Sequence, residues 1–513
     1  MLSSDNESVG DQRLKRIEEG FSRFDRTGGG DGHPLTLSEL MATYRVPGLS
    51  LAVIDQFRVS ATRGYGVLEV GSDRRVSPRT LFQAGSISKP VAAATALRLV
   101  EQGRLSLDEP VNSSLSSWKL PENEFTEREP VNLRRLLSHT AGLTVHGFPG
   151  HARDGAIPTL VQVLEGVPPA NTERIRVVRV PGSEWRYSGG GYLVAQQLMM
   201  DVTGRSFPDL TKALVLDPLG MRDSSYAQPL VPSWIDASAG GTRMGGGVVP
   251  GRWHVYPEMA AAGLWTTAPD LAQFAVRVAL ARRGEDEGWM SQRTAEKMIT
   301  SQAGPTTEPM FGDAEVPDRM GLGFFVGGPG RSDRFGHIGT NEGFQALLEM
   351  SSETGQGVAI MTNSSIGILV GLLLRSQVAR EYRWKVPDAG GLIDAEGVTS
   401  WYLAARSKGA PAALALYDGA KSKGSVDPLR YRESLISLGY LLAFDGRLQD
   451  SVAVLERCVQ ENPEYWNAHD SLGEAYAFLG DRTSAIASYA RSVELNPENV
   501  QGKAKLRELT SGT

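Results

Sequence analysis

The sequence has little cysteine and little histidine. One cysteine, Cys458, stands among 513 residues. No disulfide can form within the chain, and no cysteine-rich zinc or iron–sulfur site can be built. The seven histidines fall at 33, 139, 146, 151, 254, 337 and 469. None forms a His-Glu-x-x-His pair, which argues against a metalloprotease helix. Long apolar runs are also missing. The most apolar, Ile366 to Leu374, falls far short of the roughly 20 residues that span a bilayer. The start, MLSSDNESVGDQRLKRIEEGF, lacks the apolar core of a secretory leader. A soluble, cytoplasmic protein is expected, or a periplasmic or secreted one if a leader has been trimmed. Basic charge does not dominate: 53 Lys plus Arg face 59 Asp plus Glu, a net charge of −6. The broad positive surface of a nucleic-acid binder is therefore not expected. Three catalytic or phosphate-binding signatures are absent as well. There is no Gly-x-Ser-x-Gly elbow, no phosphate loop ending in Gly-Lys-Ser/Thr, and no convincing Gly-x-Gly-x-x-Gly turn.

What is present supports a large core. Apolar residues make up 41% of the chain, and 58 glycines imply many tight turns. At roughly 150 residues per domain the length suggests about three units, or one large domain with an appendage. Residues 1–33 read as a polar lead-in, with an amphipathic helix over Asp11 to Phe24 and a break at Gly28–Gly30. Alternating apolar residues at Leu49–Ile54 and Ser60–Glu69 predict a hairpin. Ser86–Glu101 predicts a helix, with Ser at its start, Pro in its first turn and Gly103 as a stop. Residues 105–300 mix helices with Gly- and Pro-rich loops. Strand patterns return at 320–327, 333–337, 343–350 and 357–362. One sheet built from both ends of residues 34–383, with a helical insertion, predicts an α+β or layered α/β/α domain. Residues 384–394 read as a linker.

The remainder, 395–513, is helical in pattern. Residues 431–464 and 465–498 align without gaps at a period of 34 residues. Leu438-Gly439 matches Leu472-Gly473, and Asn462-Pro463 matches Asn496-Pro497. This is tetratricopeptide spacing: paired helices with small residues at the crossing and Pro after the second helix. Residues 395–421 and 501–510 are candidates for flanking helices, since about three repeats are needed for stability. Cys458 falls at a small, buried repeat position and reads as a structural thiol.

Three short segments can carry chemistry. Ser86-Ile87-Ser88-Lys89 places a hydroxyl and an amine three residues apart on one helix face. Free backbone N–H groups at the helix start add positive potential. Such a serine becomes a nucleophile if the lysine is neutral. Alone, the motif is weak and reads more readily as an ordinary helix cap. Tyr187-Ser188-Gly189 can turn a phenol into a cleft, or bury an aromatic beside a glycine turn. Gly336-His337-Ile338-Gly339-Thr340 lies between two strand patterns, and its glycines allow close approach to backbone.

In this order and at these intervals the three segments resemble the motifs of the serine β-lactamase, penicillin-binding-protein and class C-like esterase family. Those motifs are Ser-x-x-Lys, Tyr-x-Asn/Ser and Lys/His/Trp-x-Gly. LLSHTAGL at 136–143, PLGM at 218–221, AAGLWTTAPDLAQF at 261–274 and GHIGTNEGF at 336–344 strengthen the likeness, which covers about residues 34–365. The chain also resembles bacterial serine hydrolases of this family that end in tetratricopeptide repeats. The resemblance implies a β-lactamase/transpeptidase-like sandwich with an antiparallel sheet and a helical subdomain. It implies Ser86 as acyl-accepting nucleophile, Lys89 as its proton acceptor, and Tyr187 as partner base and acid for the leaving group. The backbone N–H groups of Ser86 and Thr340 would form the oxyanion hole. Gly339 and Thr340 would border the substrate, and His337 would orient it or tune Tyr187. No cofactor or metal is implied.

Two departures bear on substrate. Gly189 stands where β-lactam-directed members carry an amide-binding Asn. His337 stands where penicillin-binding members carry a Lys that pairs with a carboxylate, and a histidine is mostly neutral near pH 7.5. Both favour small acyl esters, with D-amino-acid amidase or peptidase and β-lactam-directed activity as alternatives. Trp253 and Tyr256, in an aromatic stretch, are candidates to line an acyl pocket, or to pack in the core. The repeats would dock a protein partner or mediate self-association. A rival class is a repeat-bearing scaffold whose hydrolase fold is not catalytic.

Overall fold

Strands from opposite ends of the first 380 residues pair into one antiparallel sheet. The computed structural model describes residues 9–21, 35–243, 246–286, 288–306, 319–327, 333–384, 395–423, 428–497 and 499–511. The chain forms two compact units, the first of residues 1–18 and 37–390 and the second of residues 19–36 and 391–513. The strands are β1 (Gly48–Asp55), β2 (Arg58–Gly66), β3 (Arg319–Met320), β4 (Phe325–Val326), β5 (Arg334–Asn341), β6 (Phe344–Ser351) and β7 (Gly357–Thr362). They lie in the order β2-β1-β7-β6-β5-β4-β3. The closure between distant segments is β1 on β7, from Leu49 against Thr362 to Ile54 against Gly357.

Alternation along β6 assigns its two faces. Ala346, Leu348 and Met350 join the main apolar core with Leu271, Phe274 and Val278 of a helix at Ala268–Arg282. Gln345 and Glu349 point the other way, toward a helix at Gly367–Glu381. Helices therefore cover both faces. We label the helices used below α1 (Val9–Glu18), α2 (Ser88–Glu101), α3 (Gly189–Thr203), α4 (Met259–Ala262), α5 (Ala268–Arg282) and α6 (Gly367–Glu381).

Several local readings shift. The polar lead-in supplies α1, which is built into the first unit. Its Leu14 and Ile17 are buried, Arg63 of β2 bonds Asp11 and Glu18, and Arg16 bonds Glu381. The strand expected at 320–327 is two short strands, because Gly323 turns the chain at φ +97°. Ser86 lies outside the regular helix, in a 3₁₀ turn at Gly85–Ile87 that leads into α2. Gly85 has φ +52°, and a Cβ there would stand 2.5 Å from Thr340 N, so close approach of β5 sets this turn. The glycine break at 28–30 and the linker beyond Trp384 lie outside the described residues.

The second unit contains seven helices among its described residues: α7 (Ala395–Lys408), α8 (Ala410–Ser422), α9 (Pro428–Phe444), α10 (Leu448–Glu461), α11 (Trp466–Leu479), α12 (Arg482–Leu495) and α13 (Val500–Ser511). Gly439 of α9 and Gly473 of α11 sit where their partner helices press closest. Added Cβ atoms there would meet Leu455 at 2.5 Å and Tyr489 at 3.1 Å. Cys458 is fully buried, and burial pushes its thiol up to about 12. Among the described residues, no helix is long and apolar enough to cross a membrane.

Candidate active site

Ser86 and Lys89 meet as their spacing predicts. Lys89 Nζ donates to Ser86 Oγ at 2.9 Å and to Ala261 O of α4 at 2.9 Å. The lysine is 2% exposed. Ser88 braces the turn: its hydroxyl donates to Gly85 O (2.6 Å) and accepts from Leu264 N (3.0 Å). Gln196 of α3 clamps α4 in turn, accepting from Ala260 N at 2.8 Å and donating to Pro257 O at 3.3 Å.

Tyr187 comes to the same place from the residues just before α3. Lys89 Nζ lies 5.0 Å from the centre of its ring. Ser188 caps α3 by accepting from Gly191 N, and its hydroxyl donates to Thr144 O. The phenol ring is enclosed by aromatics. His139 stacks on it with centroids 4.2 Å apart, His146 lies at 4.8 Å, His337 at 6.1 Å and Phe325 at 6.3 Å.

All three imidazoles are held neutral near pH 7. Burial is the main cause, with repulsion from Lys89 second; His146 falls to about 4, His337 to about 3, and His139 well below its ordinary value. Backbone contacts settle two tautomers. His337 Nδ1 is 2.7 Å from Ile338 O, an acceptor, so Nδ1 carries the proton and Nε2 the lone pair. His139 Nδ1 accepts from Ser188 N at 3.1 Å, so its proton sits on Nε2. Both Nε2 atoms are buried without a hydrogen-bond partner among the described residues.

β5 closes the site on the side of Ser86. Gly339 leans on the turn: a Cβ there would stand 1.9 Å from Ala84 O. Thr340, the next residue, is exposed. Asn341 then ties the strand down, donating to Gln83 Oε1 (2.9 Å) and Ala262 O (3.0 Å). The structure thus brings Ser86, Lys89, Tyr187, His337, Gly339 and Thr340 together. Trp253 packs in the core, roughly perpendicular to Trp265 and with the guanidiniums of Arg153 and Arg252 over its ring. It is buried, at 1% exposure. Tyr256 is equally buried; its hydroxyl accepts from Glu342 N and donates to Pro149 O, joining the turn after β5 to the 146–151 loop. His139, His146, Gln196 and Asn341 are parts of the site that spacing did not reveal. The signals available were the family-like segments LLSHTAGL, which contains His139, and GHIGTNEGF, which contains Asn341.

A family model described as Beta-lactamase matches residues 35–380, more than half of the sequence. The chain belongs to the β-lactamase family. Within that family it is similar to the unguisins hydrolase ungD of Aspergillus violaceofuscus, 28% identical over 239 residues, 44% of this chain and 40% of that protein. It is also similar to protein flp of Staphylococcus aureus, 25% identical over 201 residues, 37% of each chain. The aligned part thus spans less than half the length of these curated relatives. Among solved structures, the octameric penicillin-binding protein homologue from Pyrococcus abyssi aligns with a TM-score of 0.56 and 26% identity, over 67% of this chain and 75% of that one. The D-amino acid amidase from Ochrobactrum anthropi SV3, at 21% identity, shares the fold with a TM-score of 0.54, over 72% of this chain and 98% of that one. The β-lactamase family is one of serine hydrolases and penicillin-binding proteins with an antiparallel sheet and many helices, the architecture found here. A tetratricopeptide-repeat model matches residues 467–499, the second of the two copies.

Proposed function

We propose that the chain is a serine hydrolase that works through an acyl-enzyme on Ser86, acting as a carboxylesterase on small acyl esters. The observation that carries the reading is the buried Lys89 amine, 2.9 Å from the Ser86 hydroxyl with Tyr187 beside it. With Lys89 neutral, the Ser86 proton passes to the Lys89–Tyr187 pair as Oγ bonds to the ester carbonyl carbon. The oxyanion is met by the N–H groups of Ser86 and Thr340. The carbon–oxygen bond to the alcohol then breaks, and the pair returns the proton to the departing oxygen. Water repeats the sequence on the acyl-enzyme and releases the acid.

Two features favour esters over penicillins. A side chain at Gly189 would meet Phe148 at 2.8 Å and His146 O at 3.0 Å, so an amide-binding group there has no room without a shift. His337, neutral down to about pH 3, offers no cation to a substrate carboxylate. The test is hydrolysis of p-nitrophenyl acetate and butyrate by wild type and Ser86→Ala. Turnover is expected to drop by about 10³-fold or more on losing the nucleophile. Equal rates would end the proposal. Stable labelling by a fluorescent penicillin would redirect it to the penicillin-binding branch. A fluorophosphonate that leaves Ser86 unmodified would favour a non-catalytic scaffold.

A further inference from the structure

We infer that His139 is a positioning residue for Tyr187, holding the phenol in register with Lys89 and Ser86. This rests on the reading of Tyr187 as proton carrier. Four observations carry it. First, His139 is a non-glycine residue at φ +59°, buried to 2% exposure. Such a conformation persists only where its surroundings enforce it, and it clusters at functional sites. Second, the two amides that flank Tyr187 both hang on this one residue. Arg186 N–H donates to His139 O at 2.8 Å, and Ser188 N–H donates to His139 Nδ1 at 3.1 Å. Third, the imidazole stacks on the phenol, centroids 4.2 Å apart and planes 29° apart. Fourth, the ring is uncharged, because Nδ1 must be free of a proton to accept from Ser188. The ring therefore adds no positive charge next to the Lys89 amine.

Histidine alone meets these demands together. Phenylalanine supplies the ring but no acceptor for Ser188 N–H. Asparagine supplies an acceptor and tolerates positive φ, but has no ring. The groups around His139 are Tyr187, Tyr192 and Trp185 as ring neighbours, with Lys89, His146 and His337 close enough to repel its proton. None of them contributes a carboxylate to neutralise an imidazolium.

The experiment compares full-length wild type, His139→Phe, His139→Asn and Ser86→Ala on p-nitrophenyl acetate between pH 5 and 10. Thermal melts run alongside, and active enzyme is counted by fluorophosphonate titration. Per active site, His139→Phe is expected to lower kcat about 10²-fold with KM little changed, the cost of a misplacement of about 1 Å. Its pH profile should shift, because Tyr187 no longer faces Lys89 as before. His139→Asn should recover part of kcat by restoring the acceptor. The inference is overturned if Ser86→Ala is inactive while His139→Phe keeps wild-type kcat and pH profile per active site. It is equally overturned if the loss is accounted for by the unfolded fraction. If His139→Phe does not fold, the same readouts on His139→Asn decide. Activity surviving in Ser86→Ala is a different failure, that of the acyl-enzyme reading.

Discussion

Three imidazoles pack around one phenol without carrying charge, and that sets how the site meets acid. In the unfolded chain each histidine binds a proton near pH 6.5. In the folded protein, burial and Lys89 lower that to about 4 for His146 and about 3 for His337. Between these values the unfolded state holds the extra proton, so stability rises with pH there. The contribution is complete above about pH 6.5 and drains as pH falls toward 4 and then 3. His337→Gln removes one such proton. Its melting temperature should therefore fall less steeply between pH 6.5 and 4 than that of wild type. Parallel curves would show that His337 is not held neutral. None of the three imidazoles should account for a limb near pH 6 to 7 in the activity profile. His139 and His146 were hard to find in advance for a physical reason. They lie 48 and 41 positions from Tyr187, and nothing in local periodicity links a loop residue to a ring that packs on it.

At the scale of elements, β5 is held along its length. At its start Arg334 bonds Glu349 at 2.6 Å, and Glu349 also takes two bonds from Arg375 of α6, at 2.8 and 3.0 Å. At its end Asn341 bonds Gln83 and Ala262. Between these anchors Gly339 rests against Ala84 O, beside the turn that carries Ser86. A methyl group there would stand 1.9 Å from backbone oxygen, so either the strand or the serine turn must move. Gly339→Ala is expected to cost about 1–3 kcal/mol of stability, as overpacking does. It should also lower kcat/KM about 10²-fold, since a displacement of about 1 Å separates Thr340 N from the reacting oxygen. Urea unfolding and ester kinetics on the same preparation check both. A variant with wild-type kinetics would mean that β5 does not set the oxyanion site. The strands themselves were readable because alternation places one face on α5 and the other on α6. The division of 320–327 was not, since Gly323 interrupts an apolar stretch with a turn of its own.

For the whole molecule, repetition was the clearest signal and location the weakest. The period of 34 residues was visible because Gly439 and Gly473 both let a partner helix close on them. The place of α1 was hidden: its charges suggested a polar lead-in, while their partners, such as Arg63 and Glu381, lie far along the chain. Trp253 shows the same limit. An aromatic beside glycines reads as pocket wall or as core alike until its packing against Trp265 is known. The second unit adds α7–α8 ahead of the two repeats and α13 after them, which brings the helical pairs to three, the number at which such arrays become stable. Every residue placed at the candidate site falls between Gln83 and Asn341, within the first unit. Removing residues 395–513 should therefore leave ester turnover per active site unchanged. If the repeats dock a partner or a second copy, the same truncation should abolish that association, read as a fall in solution mass beyond the deleted residues or as loss of a co-purifying protein. Unchanged turnover with unchanged association would remove the repeats from any binding role. Lost turnover would instead make the second unit part of the working enzyme.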